Sequence, residues 1–370
     1  MKKIVHRQHR EAVTVKSKSP IGYLAILPII LTTIGLFFIF DASSINAFRT
    51  LGDSFYFFKQ QLIWFVLGIG VMGFFSYFDY RKLYYISFPV LLVTIFFLII
   101  VLIPGVGVTV GGARRWINLG PIGFQPSEVA KFSAILYLSS WFLYKERQRF
   151  LSFLLLLGFI IGLIMIQPDM GTSIIIFLLF ISIYFFSGEN LLHLAVFSPF
   201  AIGAGLIVVF SSSYRLKRLT AYLDPNNDPN GIGYHIRQIS ISLASGGFIG
   251  RGLSSSRQKY QFLPEAHTDS IFAIIGEEIG FIGSFLLIGL YVFLLYQIFQ
   301  VVIHSKDRFG KLLAGSIWCL LAWQVIINLG AMVSLIPLTG VPLPFISYGG
   351  SSLLILFSLM GIVISVARRK

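Results

Sequence analysis

Charge is what this sequence has least of. Of 370 residues, only 12% are Asp, Glu, Lys or Arg, against 56% that are hydrophobic. Soluble globular domains carry about 25% charged residues, so a water-soluble globule is excluded. The lone Cys319 rules out a disulfide framework and a thiol metal site. Segments of about ten residues with alternating polarity, the mark of a transmembrane barrel, are also missing. Instead, 37 Phe residues are scattered through runs of Ile and Leu, the composition of lipid-facing helices. No small-residue cleavage pattern follows the first apolar segment, which therefore reads as a retained span. No short-period repeat is present.

What remains is a series of apolar tracts near the ~20 residues needed to cross a bilayer. They fall at residues 21–40, 56–78, 83–103, 126–144, 151–167, 171–187, 191–210, 270–300, 312–335 and 346–367. The fifth and sixth form one tract punctuated by "QPDMGT", where Pro168 and Gly171 interrupt the pattern. Both tails, "KKIVHRQHR" and "VARRK", are basic and belong inside, which requires an even number of spans. The loops "DYRK", "KERQR" and "HSKDRFGK" then fall inside as well. The expected fold is an all-α polytopic membrane protein with about ten spans and both termini cytoplasmic. A basic tail, 1–20, precedes a single transmembrane domain, 21–370.

Residues 211–269 form a large outer loop between the seventh and eighth spans, too long to be structureless. Leu216, Leu219 and Leu223 recur at helical spacing around Arg215, Lys217 and Arg218, and Ile236, Ile239 and Leu243 repeat the pattern. Both stretches read as helices lying in the interface. Their basic charge suits headgroups or an anionic ligand on the outer face. Within "DPNNDPNG", Asp224, Asn226 and Asp228 have calcium-loop spacing, but Pro229 replaces the required Gly and His235 the bidentate Glu. That stretch reads as a turn. "GVGVTVGG" and "SGGFIGRG" lack the strand and helix of a nucleotide-binding turn and read as flexible or tight loops.

Charged groups at span edges narrow the chemistry. A helix starting at Pro126 places Glu128 and Lys131 on one face. Glu128 either complements the helix dipole with Lys131 pairing to it, or both serve a phosphate-bearing substrate. Arg114, Arg115 and Trp116 on the preceding outer loop are either an interfacial anchor or a phosphate fork with an indole against sugar or lipid. Asp169 reads as a helix cap. Glu277 and Glu278 lie two turns into the eighth span, with at least one facing a protein-lined cavity. In "LPEAHTDSIF", Glu265, His267 and Asp269 alternate up to the lip of that span. Asp269 is either its N-cap or a carboxylate tuned for proton abstraction.

"FQPSEVAK", "QPDMGTS", "DPNNDPNGIGY", "SGGFIGRGL", "FLPEAHTDSIFAIIGEEIGFIG" and "IPLTGVPLPFISYGGSS" occur in this order from about residue 111 to 352. The chain thereby resembles the SEDS family of bacterial cell-wall polymerases, FtsW, RodA and SpoVE. "SRQKYQFLPEAHTD" and "AIIGEE" are more similar to the FtsW and SpoVE branch. The resemblance implies a multi-pass glycosyltransferase of the cytoplasmic membrane that polymerises lipid II into glycan strands on the outer face. It also implies a class B penicillin-binding protein as partner, and no nucleic acid. It maps the essential acid onto Asp269, an Arg and a Trp onto Arg115 and Trp116, and "PSExxK" onto Glu128 and Lys131; Arg114 falls where the family pattern is loose. On this reading Asp269 is the base and His267 either orients it or caps the helix. Arg115, Lys131 and a divalent cation, Mg or Mn, would offset pyrophosphate charge, although no ligand cluster compels the metal. A flippase for lipid-linked precursors and a noncatalytic scaffold for the penicillin-binding protein are the alternatives. They differ from a polymerase in spreading essential charges through the membrane depth, or in tolerating Asp269→Asn.

Overall fold

A computed structural model of the chain describes residues 21–110, 113–119, 122–144, 149–260 and 263–369. The basic tail expected at 1–20 and most of the "KERQR" loop lie outside the described residues. The helices are α1 (Ile21–Leu51), α2 (Tyr56–Tyr77), α3 (Leu83–Ile100), α4 (Pro126–Trp141), α5 (Phe150–Ile166), α6 (Met170–Phe186), α7 (Leu191–Phe210), α8 (Ser213–Leu223), α9 (Ile232–Gly246), α10 (Ile271–His304), α11 (Arg308–Met332) and α12 (Gly350–Arg368). Each of the ten apolar tracts is thus helical. Seven helices, α1, α2, α3, α7, α10, α11 and α12, are long and apolar enough to cross a membrane, α3 with the short turn before it; α5 and α6 are shorter apolar helices.

The core is built on α11 and α12, which are mostly buried, with α2 packed along α12, α3 on α4, and α10 on α11. α7 stands at the rim and has no buried residue, as expected of a helix whose apolar surface is covered by lipid. Of the turns predicted to lie inside, "DYRK" and "HSKDRFGK" meet at one end of the bundle, beside the end of α12. Tyr80 donates its hydroxyl proton to Asp307, Arg308 reaches the Ser187 carbonyl at 3.1 Å, and Arg369 reaches the Phe78 carbonyl at 2.9 Å. The amphipathic stretches of the 211–269 loop are the helices α8 and α9. The "DPNN" segment is a short 3-10 turn in which Asp224 accepts from the Asn226 amide at 3.0 Å.

The chain is not purely helical. Residues before α4 form an antiparallel sheet of β1 (Gly107–Val110), β2 (Ala113–Leu119) and β3 (Ile122–Phe124), in the order β1-β2-β3. Val108 pairs with Trp116, and Ile117 with Phe124. The glycines of "GVGVTVGG" suggested a loop, but Val108, Val110, Trp116 and Ile117 carry the β-branched and aromatic preference of strands. The two-residue interval between β1 and β2 reads Gly-Gly, a hairpin signal.

The eighth span is also not continuous. At Gly280 the backbone of α10 turns to φ 67° and ψ −166°. The freed groups are satisfied by the segment after α9: Arg251 and Gly252 amides donate to the Glu277 and Glu278 carbonyls at 3.0 Å, and Phe281 and Ile282 amides donate to the Gly247 and Phe248 carbonyls at 2.9 and 3.1 Å. Non-helical backbone at this depth is tolerated only where protein supplies such partners. A Cβ on Gly280 would sit 2.2 Å from the Gly250 nitrogen. Gly280→Ala is expected to destabilise by about 3 kcal/mol or more, from backbone strain and overlap together. Thermal unfolding in detergent measures it, and an unchanged midpoint would show that the break is not held by this contact.

Candidate active site

β2 carries Arg115 and Trp116 on opposite faces of the sheet, since successive strand residues alternate. Arg115, half-buried, donates through Nε to the Gln167 carbonyl at 3.2 Å and through Nη2 to the Pro168 carbonyl. The hairpin is thereby docked on the α5–α6 turn. The Trp116 indole packs over Gly123 of β3, 3.5 Å from the position a Cβ there would take. Arg114 is exposed and donates to Thr109 Oγ1 at 3.4 Å.

Asp169 caps α6 as expected, accepting from the Thr172 amide at 3.1 Å and the Thr172 hydroxyl at 2.9 Å. Gln125, at the start of α4, donates to Asp169 Oδ2 at 3.3 Å. The N-termini of α4 and α6, whose dipoles favour anions, therefore converge beside Arg115. Lys131 Nζ lies 2.7 Å from Glu128 Oε1, and the two side chains are only 3% and 5% exposed. The pair is closed on itself inside α4.

The segment before α10 is irregular. Ser270, not Asp269, occupies the N-cap position, and it makes no side-chain cap bond. Its hydroxyl is instead 2.8 Å from His235 Nε2 on α9. A tight turn at residues 265–270, in which Thr268 and Ser270 amides both bond the Glu265 carbonyl, moves Asp269 off the helix axis. Its main-chain carbonyl accepts from Asn328 Nδ2 at 2.8 Å. Thr268 Oγ1 lies 2.7 Å from Glu265 Oε2 and 3.3 Å from Asp269 Oδ1. Burial, reinforced by the Glu265 charge, pushes the Asp269 carboxyl up to about 6, with Arg218 acting in the opposite sense. His235 is pushed down to about 4 and His267 is lowered, both by burial, so both imidazoles are neutral at pH 7. The His267 ring packs on Phe57 and Tyr348, with centroids 4.5 and 5.6 Å away, and its carbonyl accepts from the Tyr348 amide. It is held by packing and makes no bond to Asp269.

One loop joins the two clusters. Leu338, Thr339, Gly340 and Val341 follow α11. Arg218 donates to the Leu338 carbonyl at 3.1 Å, and Asn328 to the Val341 carbonyl at 2.8 Å. Asp269 Oδ2 faces Gly340, 3.6 Å from the position of a Cβ, while the Thr339 carbonyl abuts Gly171 at the start of α6. The loop therefore runs from the α6 N-terminus, next to the turn on which Arg115 docks, to Asp269. Arg218 was read from sequence only as one of three basic residues of an interfacial helix, and Asn328 was not singled out, although an Asn inside an apolar span is a signal.

Two cavities flank this region. An apolar one of about 550 Å³ lies between α5, α6 and α7, lined among others by Leu157, Ile161, Phe177, Phe197 and Val208. A polar one of about 240 Å³ is lined by Asn46, Lys259, Glu265 and His267. Among the described residues no three His, Cys, Asp or Glu side chains converge as a metal site. The described residues thus offer no preformed cage for Mg or Mn.

Residues 23–370 match the family model of FtsW, RodA and SpoVE, described as a cell cycle protein. The chain belongs to the FtsW/RodA/SpoVE family. Among members of that family it is similar to the stage V sporulation protein E of Bacillus subtilis, at 38% identity over 363 residues, 96% of this chain and 99% of that protein. The probable peptidoglycan glycosyltransferase FtsW of Coxiella burnetii is 38% identical over 355 residues, 94% of this chain and 95% of that one. Among solved FtsW/RodA/SpoVE-like folds, a chain from work on structural coordination of polymerization and crosslinking by a peptidoglycan synthase complex superposes with a TM-score of 0.77 at 28% identity, covering 94% of this chain and 97% of the other. Rod shape determining protein RodA of Thermus thermophilus gives 0.69 at 26% identity, covering 94% and 96%.

Proposed function

We propose that the protein is a peptidoglycan glycosyltransferase of the cytoplasmic membrane, polymerising lipid II on the outer face with release of undecaprenyl pyrophosphate. The observation that carries this reading is the half-buried Asp269 carboxylate, raised to about 6, sharing one loop with Arg218 and with the α6 N-terminus. On the reading of ten spans with both termini cytoplasmic this loop lies outside, and the turns gathered at the opposite end support it. Asp269 takes the proton of the acceptor GlcNAc 4-hydroxyl as that oxygen bonds C1 of the donor MurNAc. The C1–O bond to pyrophosphate breaks in the same displacement, inverting the anomeric centre by analogy with an inverting glycosidase. The proton then leaves Asp269 for water. Arg115, Arg218 and the two helix N-termini offset the charge gathering on the leaving diphosphate, with Trp116 and His267 as walls of the substrate site. The Glu128–Lys131 ion pair holds the start of α4 and fixes the direction of the Lys131 side chain. The apolar cavity beside α7 takes part of the polyprenyl chain.

A class B penicillin-binding protein is the partner this reading implies, supported by the likeness to a synthase complex. Gel-resolved polymerisation of labelled lipid II by the purified protein, alone and with that partner, tests the proposal: glycan strands are expected. Movement of lipid II between leaflets of proteoliposomes with no polymer would replace it by a transporter. Because a cation would arrive with the diphosphate, chelation is expected to slow polymerisation without moving the melting midpoint of the substrate-free protein. A fall in that midpoint on chelation would reveal a resident metal.

A further inference from the structure

A second buried set of charges lies outside the cluster around Asp269. Asp41 of α1, Glu277 and Glu278 of α10, and Lys259 are each at most 6% exposed. Lys259 Nζ lies 2.9 and 3.0 Å from the two Asp41 carboxylate oxygens, 2.7 Å from the Ser254 carbonyl and 3.4 Å from Glu278 Oε1. The two glutamates hold the backbone around it. Glu278 accepts from the Ser254 and Ser256 amides at 2.9 and 3.1 Å, and Glu277 from the Arg257 amide at 3.0 Å and the Ser256 hydroxyl at 2.6 Å. Residues 254–259 are thus cast around two carboxylates, and Lys259 pins the cast to α1.

Buried ion pairs are poor sources of stability, because desolvation offsets their attraction. What this set does supply is a fixed geometry, and its location gives that geometry a use. Lys259 shares the 240 Å³ cavity with Ala42 and Asn46 of α1 on one side and Glu265 and His267 on the other. Glu265 in turn is bonded to Thr268, the neighbour of Asp269. The Leu263 amide donates to the Gln258 carbonyl at 3.1 Å, which links the Lys259 turn to the segment that carries Asp269. Misplacing a reacting group by about 1 Å costs about 100-fold in rate, so a turn with no regular secondary structure needs such an anchor.

We infer that Lys259 and Asp41 are positioning residues for polymerisation, tying α1 to the 254–259 turn and so fixing where the 263–269 segment presents its carboxylate. This rests on Asp269 as base. The test combines kinetics of lipid II polymerisation with hydrogen exchange of the full-length protein, using Asp41→Asn, Lys259→Met and Lys259→Arg. In the first two, amide exchange across 263–270 is expected to rise by about tenfold or more, as a local opening becomes easier. In the same variants kcat falls by about 10–100-fold while KM for lipid II stays within about twofold, because the two substituted side chains are buried and bonded to protein groups rather than to substrate. Lys259→Arg, whose fork spans both Asp41 oxygens, keeps near wild-type exchange and kcat. Should Lys259→Met fail to fold, Asp41→Asn decides, since it leaves Lys259 its Glu278 partner. Unchanged exchange or unchanged kcat in folded Asp41→Asn overturns the inference. If Asp269→Asn is then equally active, the base assignment has failed rather than the coupling.

Discussion

Asp269→Asn is expected to slow lipid II polymerisation by about 10²–10⁴-fold, the contribution of a positioned general base, while making the protein harder to unfold. The two effects share one cause. Burial and the Glu265 charge raise the Asp269 carboxyl from 3.8 to about 6, so the fold disfavours the ionised form that the chemistry needs. For a raised acid, the stability present below the ordinary value is lost as pH rises through about 6, and at pH 7 the native protein carries the full penalty. At about 1.4 kcal/mol per pKa unit the ceiling is about 3 kcal/mol, which partial exposure reduces to about 1–2 kcal/mol. The neutral amide removes this cost. Activity assays and thermal unfolding of the same preparation check both halves. An Asn variant as active as wild type removes Asp269 as base. An inactive variant with a lowered melting midpoint would mean that the side chain supports the turn.

The second large effect concerns Lys131. Replacing it with Met leaves Glu128 buried without its partner, and breaking such a pair costs about 3–5 kcal/mol. The double variant Glu128→Gln/Lys131→Met removes both charges, and its stability is expected to return to within about 1 kcal/mol of wild type, since replacing a whole buried pair is often neutral. The folded double variant then separates two roles. A further loss of about tenfold or more in kcat, beyond any change in stability, supports an ammonium that acts on the substrate diphosphate. Wild-type polymerisation by the double variant would show that the pair only holds α4 together.

Much of this was legible in the sequence because hydrophobic runs dictate spanning helices with little ambiguity. All ten tracts are helical, and Leu216, Leu219 and Leu223 marked α8 from spacing alone. The sheet at β1–β3 was hidden by its glycines, which signal loops and hairpins alike. The break at Gly280 was hidden because one glycine in an apolar run carries no mark of positive φ; only the facing carbonyls and amides of residues 247–252 make it possible. Asp269 was singled out by its place at a span edge. The cap position nevertheless fell to Ser270, because the tight turn at 265–270 depends on tertiary bonds from Asn328 and Tyr348. Lys259 sat within a quoted motif, yet its partner Asp41 is more than 200 residues away, a distance that no local pattern spans.

Asp269, ionising near pH 6, is the proposed base of a lipid II polymerase. The initial rate of glycan polymerisation by the wild-type protein with its penicillin-binding partner, measured from pH 4.5 to 8, tests it most directly. The rate is expected to be level above pH about 7 and to fall about tenfold per pH unit below about 6, as the carboxylate is protonated. A rate unchanged down to about pH 4.5, where an ordinary carboxylate titrates, or no polymer at any pH, would contradict it.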